Sequence, residues 1–311
     1  MKAVLPALAR PLVEPGLPAG IDAHWFTSRD EAMAMVADAD IAWVDMNRPQ
    51  WTGEAAAAGE RLKWLSTIYA GIDAFDIALL RERGTILTNG VGINAVAVAE
   101  YALLGILAAA KRYDEVVRIA DRHEWPADAP GKVELADTRA LVIGYGTIGR
   151  MIGDRLTAFG VDVTGVTRSG RDGTLTPGAW AARLGEFDWV ILAAPSTAAT
   201  HAMIGAGELA AMKPGAWLIN IARGDMVDQA ALIAALEKRR IAGAVLDVVD
   251  PEPLPADHPL WTAPNILHSM HLSGRSQTKM FMRAAALFLE NARAFVAGRP
   301  MRNVVDLDAG Y

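Results

Sequence analysis

Along most of the chain, short runs of consecutive apolar residues alternate with segments whose apolar residues recur every three to four positions. In the first ninety residues the runs are Lys2 to Leu5, Asp40 to Val44, Lys63 to Ile68 and Thr85 to Leu87, with helical spacing over Arg29 to Ala37 and Ala74 to Arg83. A long helical region follows from Ala95 to about Ala120, with Lys111, Arg112 and Asp114 marking where it leaves the core. Trp125 to Lys132 carries Pro126, Pro130 and Gly131 and reads as a loop. From Arg139 onward the alternation is clean. Its apolar runs are Ala140 to Ile143, Val161 to Val166, Trp189 to Ala194, Ala216 to Ile221, Ala242 to Val248 and Asn265 to Leu267. Helical spacing separates them, as at Ile148, Ile152, Leu156 and Phe159, and a last apolar helix spans Gln277 to Ala297. Runs of this length without polar alternation belong to strands buried on both faces. Strands alternating with helices give a parallel sheet covered by helices, so the expected class is α/β.

Composition narrows this reading. The 311 residues suffice for about two domains. The 52% hydrophobic content supplies a core and excludes general disorder. A net charge of −6 argues against a nucleic-acid-binding protein. Cysteine is absent, which removes disulfide scaffolds, thiolate metal sites and cysteine nucleophiles, and no metal ligand set is expected. The most apolar stretch, Ala95 to Ala110, carries Glu100 and is shorter than the ~20 residues a spanning helix needs. Pro6, Pro11 and Pro15 interrupt the N-terminal apolar residues, so no export signal is expected and a cytoplasmic location is.

The first chemical signal is Gly144-Tyr145-Gly146-Thr147-Ile148-Gly149, directly after one apolar run and opening a helical segment. Gly144 permits a tight turn, Gly146 lets backbone approach a pyrophosphate, and Gly149 permits close packing of helix on strand. The anion then rests on the N–H groups of the helix N-terminus. A bare motif of this kind also occurs in ordinary glycine-rich turns. The strand before it, the helix after it and a second strand ending at Val166 favour dinucleotide binding.

Ligands of an open parallel sheet lie beyond the carboxyl ends of its strands, and polar candidates gather there. Arg223 follows the run ending at Ile221, Asp247 and Glu252 close or follow the run Ala242 to Val248, and His271 follows Asn265 to Leu267. An arginine holds a carboxylate by two parallel hydrogen bonds. A histidine beside a carboxylate is the natural acid or base near neutrality. Each also has a plainer reading: Arg223 paired with Asp225 or Asp228, and Glu252 as a solvated loop carboxylate. Spacing alone leaves His268 and His271 equally eligible.

The acidic residue that binds the ribose 2′-hydroxyl of NAD in such sites ends the second strand, about 20 residues past the glycine motif. Thr167 stands there, and Arg168, Ser169 and Arg171 follow. Two guanidinium groups and two hydroxyls suit a 2′-phosphate, so NADP(H) is the expected cofactor, with NAD(H) as the second choice.

Longer motifs resemble one family. Asn220 to Asp228 (NIARGDMVD), Leu246 to Pro255 (LDVVDPEPLP), His258 to Trp261 (HPLW) and Ser269 to Gly274 (SMHLSG) resemble segments of the D-isomer-specific 2-hydroxyacid dehydrogenases, glyoxylate/hydroxypyruvate reductases among them. So do Pro195 to Thr200, Met212 to Gly215, Tyr69 to Asp73 and Thr88 to Glu100; the first 50 residues carry little of it. The resemblance implies two doubly wound parallel-sheet (Rossmann-like) domains with a cleft between them. Residues 1–104 with 285–311 would form the substrate-binding domain and 105–284 the dinucleotide-binding domain. It also implies a homodimer built through the cofactor domain, with Arg118 to Lys132 as an arm.

Residue roles follow by the same resemblance. Arg223, Glu252 and His271 are the implied catalytic set, with His268 structural. Tyr69, Ala70, Gly71 and Arg223 would bind the carboxylate of a small 2-oxoacid. Cofactor contacts would run through Gly144, Gly146, Thr147, Ile148 and Gly149 of the glycine motif, then Thr167, Arg168, Ser169, Arg171, Pro195, Thr200, Ile221, Ala222, Arg223, Asp247, His271 and Gly274, with Asp247 against the nicotinamide carboxamide. Asp45, Met46, Trp51 and Tyr69 are candidates for side-chain selection. Two positions depart from the pattern: Met270 stands where proline is usual and Val249 where phenylalanine is common. Alternatives weighed are formate oxidation, disfavoured by Glu252 where a glutamine is expected, phosphite oxidation, and a corepressor-like nucleotide sensor.

Overall fold

The protein is described from a computed structural model, which covers residues 1–275 and 277–308. Ser276, assigned above to the cofactor domain, and residues 309–311, assigned to the first domain, lie outside the described residues. The chain divides into two compact units, Met1–Asn94 with Gln277–Tyr311, and Ala95–Ser276.

The first unit is a five-stranded parallel sheet in the order β2-β1-β3-β4-β5. Its strands are β1 (Lys2–Pro6), β2 (Asp22–Phe26), β3 (Ile41–Ala42), β4 (Trp64–Ser66) and β5 (Ile86–Thr88). Helices α1 (Arg10–Val13), α2 (Arg29–Val36), α3 (Pro49–Ala58) and α4 (Ile77–Arg83) link them, and α10 (Met280–Val296) returns to this unit from the far end of the chain. Helix starts follow local chemistry: the Ser28 hydroxyl accepts from the Glu31 amide and the Asp76 carboxylate from the Leu79 amide. On one face of the sheet, Phe288 of α10 stacks on Trp64 at 4.9 Å and tilts against Trp43 at 5.5 Å, all three fully buried.

The second unit begins with α5 (Ala95–Lys111) and α6 (Tyr113–Asp121) and holds a six-stranded parallel sheet in the order β11-β10-β9-β8-β6-β7. The strands are β6 (Arg139–Ile143), β7 (Asp162–Val166), β8 (Trp189–Leu192), β9 (Trp217–Asn220), β10 (Gly243–Leu246) and β11 (Ile266–His268). Helices α7 (Thr147–Ala158), α8 (Ala206–Ala211) and α9 (Gln229–Glu237) cross between them. Outside β7 a single parallel bridge, Val166 to Leu175, stands where a further strand would lie. With it the order becomes that of a dinucleotide fold, whose strand order reverses between β6 and β8. Every residue of β8, β9 and β10 is buried, which accounts for their unbroken apolar runs.

Three features differ from expectation. Helix α5 packs whole in the second unit: Val98, Ala102 and Ile106 share a core with Val142, Ile219 and Val245, and a Cβ at Gly105 would collide with Val245. The units therefore part at 94/95 and 276/277, against the expected 104/105 and 284/285. The long helical region is two helices, broken at Arg112, which adopts φ 48°. Strand β2 and helix α3 went unread.

Phe288→Ala removes the ring that both tryptophans pack on. It should cost the first unit ~3–5 kcal/mol, read as a lowered denaturant midpoint. A loss below ~1 kcal/mol would mean the two indoles close over the gap.

Candidate active site

The glycine motif builds the turn from β6 into α7. Gly144 sits at φ 97° with its Cβ position against the backbone of Ala193 and Ala194, and Gly149 is pressed on the Gly144 carbonyl, so neither place admits a side chain. An atom added at Gly146 meets nothing, because this residue faces the volume ahead of the α7 N-terminus. Open space over Gly146 and the first-turn amides of a twelve-residue helix fit the pyrophosphate of a dinucleotide. The Tyr145 ring lies against both Gly153 and Gly165, where added Cβ atoms would overlap it, and the Arg150 guanidinium sits 5.5 Å from its centroid.

Past the end of β7, the Thr167 hydroxyl pairs with that of Thr174 at 2.7 Å and accepts from the Gly170 amide. Arg171 Nε donates to Ser169 Oγ at 3.0 Å. The acidic residue of this loop, Asp172, is bound by Arg150 at 3.1 Å. Arg150 was not singled out from the sequence, although a cation one residue past a glycine motif was a readable signal. Beyond β8, Thr200 Oγ1 donates to the Pro195 carbonyl at 2.8 Å and accepts from the Thr197 amide, which closes the 195–200 loop.

Three strand ends of the second unit bring the expected catalytic set together. After β9, Asn220 is 1% exposed and wraps the turn that carries Arg223. Its Nδ2 donates to the Arg223 carbonyl at 2.8 Å, and its Oδ1 accepts from the Ala222 amide at 3.0 Å. Ile221 and Ala222 are buried beside it. A Cβ at Gly224 would collide with the carbonyl group of Val249, so the arginine turn lies directly against the segment leading to Glu252. Glu252 Oε2 and His271 Nδ1 are 2.6 Å apart, both partly exposed. Burial pushes the Glu252 carboxyl up. The hydrogen bond and charge of His271, the Val249 amide and the charge of Arg223 outweigh this and hold it below the ordinary carboxylate range. Arg223 is therefore close enough to act on Glu252.

The two histidines separate clearly. His268 ends β11 half-buried; Nε2 meets the Leu260 carbonyl at 3.0 Å and its ring tilts against Trp261 at 5.0 Å. Burial pushes its pKa down, against the opposing effect of the Leu260 hydrogen bond. His271 stands past the strand on a turn where Met270 and His271 adopt φ 52° and 55°. Left-handed backbone costs roughly 1–2 kcal/mol per non-glycine residue, and a proline at 270 could not adopt it. Asp247, 2% exposed at the end of β10, binds this turn. Its Oδ1 accepts from Ser269 Oγ at 2.7 Å and from the Ser273 amide at 3.2 Å, and its Oδ2 accepts from Ser273 Oγ. Gly274 lies in the short helical turn that follows.

In the first unit, Tyr69, Ala70 and Gly71 follow β4 in a partly exposed loop. The Tyr69 carbonyl accepts from the Gly90 amide at 2.8 Å and the Ala70 carbonyl from Asn89 Nδ2 at 3.0 Å. Asp45 accepts from Trp43 Nε1, Thr67 Oγ1 and the Ile68 amide, yet burial dominates and pushes it up to about 6. Tyr69 OH donates to the Met46 carbonyl, and Trp51 lies under the Arg48 guanidinium at 4.7 Å. Among the described residues no cluster of three His, Asp or Glu side chains is arranged to hold a metal, and no helix is long and apolar enough to cross a membrane.

Residues 103–273, more than half of the chain, match the family "D-isomer specific 2-hydroxyacid dehydrogenase, NAD binding domain". The chain belongs to this family. It is similar to the glyoxylate/hydroxypyruvate reductase B of Pectobacterium atrosepticum, 35% identical over 257 residues that make up 79% of each chain. A D-isomer specific 2-hydroxyacid dehydrogenase family protein from Aeromonas salmonicida has a similar solved structure, with TM-score 0.87, 28% identity and 99% of each chain covered. The NADPH-dependent glyoxylate/hydroxypyruvate reductase of Sinorhizobium meliloti, solved with NADP and sulfate, shares the fold at TM-score 0.83 and 22% identity, covering 100% of this chain and 99% of that one. The protein is thus an NAD(P)-dependent oxidoreductase acting on 2-hydroxyacids and 2-oxoacids. A nicotinamide cofactor is the group its second unit takes.

Proposed function

We propose that the enzyme reduces a small 2-oxoacid of the glyoxylate or hydroxypyruvate type to the D-2-hydroxyacid, with His271 as proton donor. The observation that carries this reading is the 2.6 Å pairing of His271 Nδ1 with Glu252 Oε2 beside Arg223. The nicotinamide, when bound, supplies a hydride. The rest falls to side chains of this chain. Nδ1–H of His271 donates to Glu252, which holds the ring in place. The opposite nitrogen, Nε2, then hands its proton to the carbonyl oxygen as negative charge builds there. Arg223 takes the substrate carboxylate by two parallel hydrogen bonds. The named reductase relative supports the substrate class. A cytoplasmic site of action goes with this reading, because the nicotinamide cofactor is supplied there.

His271→Ala and Arg223→Ala should each lower turnover of glyoxylate and hydroxypyruvate ~10²–10⁴-fold in protein that stays folded, and His268→Ala far less. Glu252→Gln should also lower turnover, since the imidazole loses the carboxylate that holds its ring in place. A larger loss from His268→Ala than from His271→Ala, or undiminished turnover in Glu252→Gln, would overturn these roles.

The preferred cofactor in this reading is NADP(H). Thr167 occupies the position an NAD site gives to a carboxylate. Asp172 is paired with Arg150 at 3.1 Å, so the loop that carries Arg168 and Arg171 has its acid already engaged. A charge-assisted hydrogen bond contributes ~1.5–3 kcal/mol, so Arg168→Ala should weaken NADPH at least about tenfold and leave NADH within a few-fold. Equal or better catalytic efficiency of the wild type with NADH would sink the preference.

The same reading makes the enzyme a homodimer. Helix α6 buries none of its residues within the chain and presents Tyr113, Val116 and Val117. Leu104 of α5 is 57% exposed, and Trp125 in the following loop 98%. An apolar surface of this kind on a folded unit calls for a partner. Sedimentation should give twice the 33.2 kDa chain mass, and Trp125→Asp with Val117→Asp should shift the protein towards monomer. A wild type that sediments as a monomer at micromolar concentration would refute it.

A further inference from the structure

We propose that Ser269 and Ser273, joined through the buried carboxylate of Asp247, are positioning residues that set the direction of the His271 imidazole. The inference rests on the reading of His271 as proton donor. The two serines bracket the histidine at equal distances along the chain, two residues before and two after. Both hydroxyls end on Asp247: Ser269 Oγ on Oδ1 at 2.7 Å, Ser273 Oγ on Oδ2. The Ser273 amide adds a third bond to Oδ1, and the His271 amide donates to the Asp247 carbonyl. One residue at the end of β10 therefore gathers four donors from a five-residue turn.

The turn needs such an anchor. Met270 and His271 are consecutive left-handed residues, neither of them glycine, and Met270 is 60% exposed, so packing does not hold this backbone in place. Relaxation of either residue to right-handed or extended backbone would redirect the His271 side chain and break its 2.6 Å contact with Glu252. The charged acceptor is well suited to the task. A carboxylate offers acceptor sites on both oxygens, and hydrogen bonds to an ionised group are shorter and stronger than neutral ones. Asp247 is 2% exposed and Ser273 2% exposed, so water does not compete for these bonds.

The test compares Ser269→Ala, Ser273→Ala and His271→Ala in the full chain, with hydroxypyruvate and NADPH as the probes. Expected for each serine variant is a kcat lowered about ten- to a hundredfold, with NADPH affinity by fluorescence titration within about threefold of wild type. Ser269→Thr keeps the hydroxyl and should restore most of the loss. Ser273 is buried, and if its variant does not fold, Ser269 carries the test from its half-buried place. Serine variants that fold and keep wild-type kcat, while His271→Ala is inactive, would overturn the anchor alone. Serine variants that lose NADPH affinity with kcat unmoved would also overturn it. A His271→Ala variant with wild-type turnover would overturn the reading beneath it instead.

Discussion

A parallel strand covered on both faces by helices has no room for a charged side chain, so charge has to wait until the strand ends. In β8, β9 and β10 every residue is buried. The candidate site residues come within a few residues of the last ladder positions: Pro195 after Leu192, Arg223 after Asn220, Asp247 after Leu246, and His271 after His268 at the end of β11. Because all six strands point the same way, these exits share one edge with the glycine turn that leaves β6. The site follows from the direction of the strands.

The same constraint explains what could be read without coordinates. Buried strands leave unbroken apolar runs, and polar residues directly after such runs are conspicuous; Arg223, Glu252 and His271 stand out as candidates on that ground, with the resemblance favouring His271 over His268. Strand β2 was not legible. It lies at the sheet edge, and its Asp22 and His24 interrupt any apolar run. Helix α3 is mostly small residues with Gly53 inside it, which leaves too little periodicity to notice. The break at Arg112 was hidden because the apolar spacing runs on through Tyr113, Val116 and Val117 on the far side.

Within the site, the residues that carry charge were easier to find than those that hold them still. Asn220 is an almost fully buried amide whose partners are backbone groups of its own turn, and such bonds have no period in the sequence and leave no pattern to detect. Asp247 stands where the strand end marked it, but its serine partners lie 22 and 26 residues further on and reach it only in the folded chain. Arg150 carried a readable position one residue past the glycine motif, but its pairing with Asp172, 22 residues away, exists only in the folded chain.

The Tyr145 ring, wedged over Gly153 and Gly165, has a bearing on how this cofactor fold can drift over generations. With the ring in place, neither glycine tolerates even an alanine. Reducing the ring to a small residue removes these overlaps at both glycines, and the cation resting on the aromatic face loses its seat. The three positions, on the β6–α7 turn, helix α7 and strand β7, therefore form one heritable unit. A tyrosine inside the motif keeps both glycines, and a lineage that gives it up loses the one overlap shared by both sites.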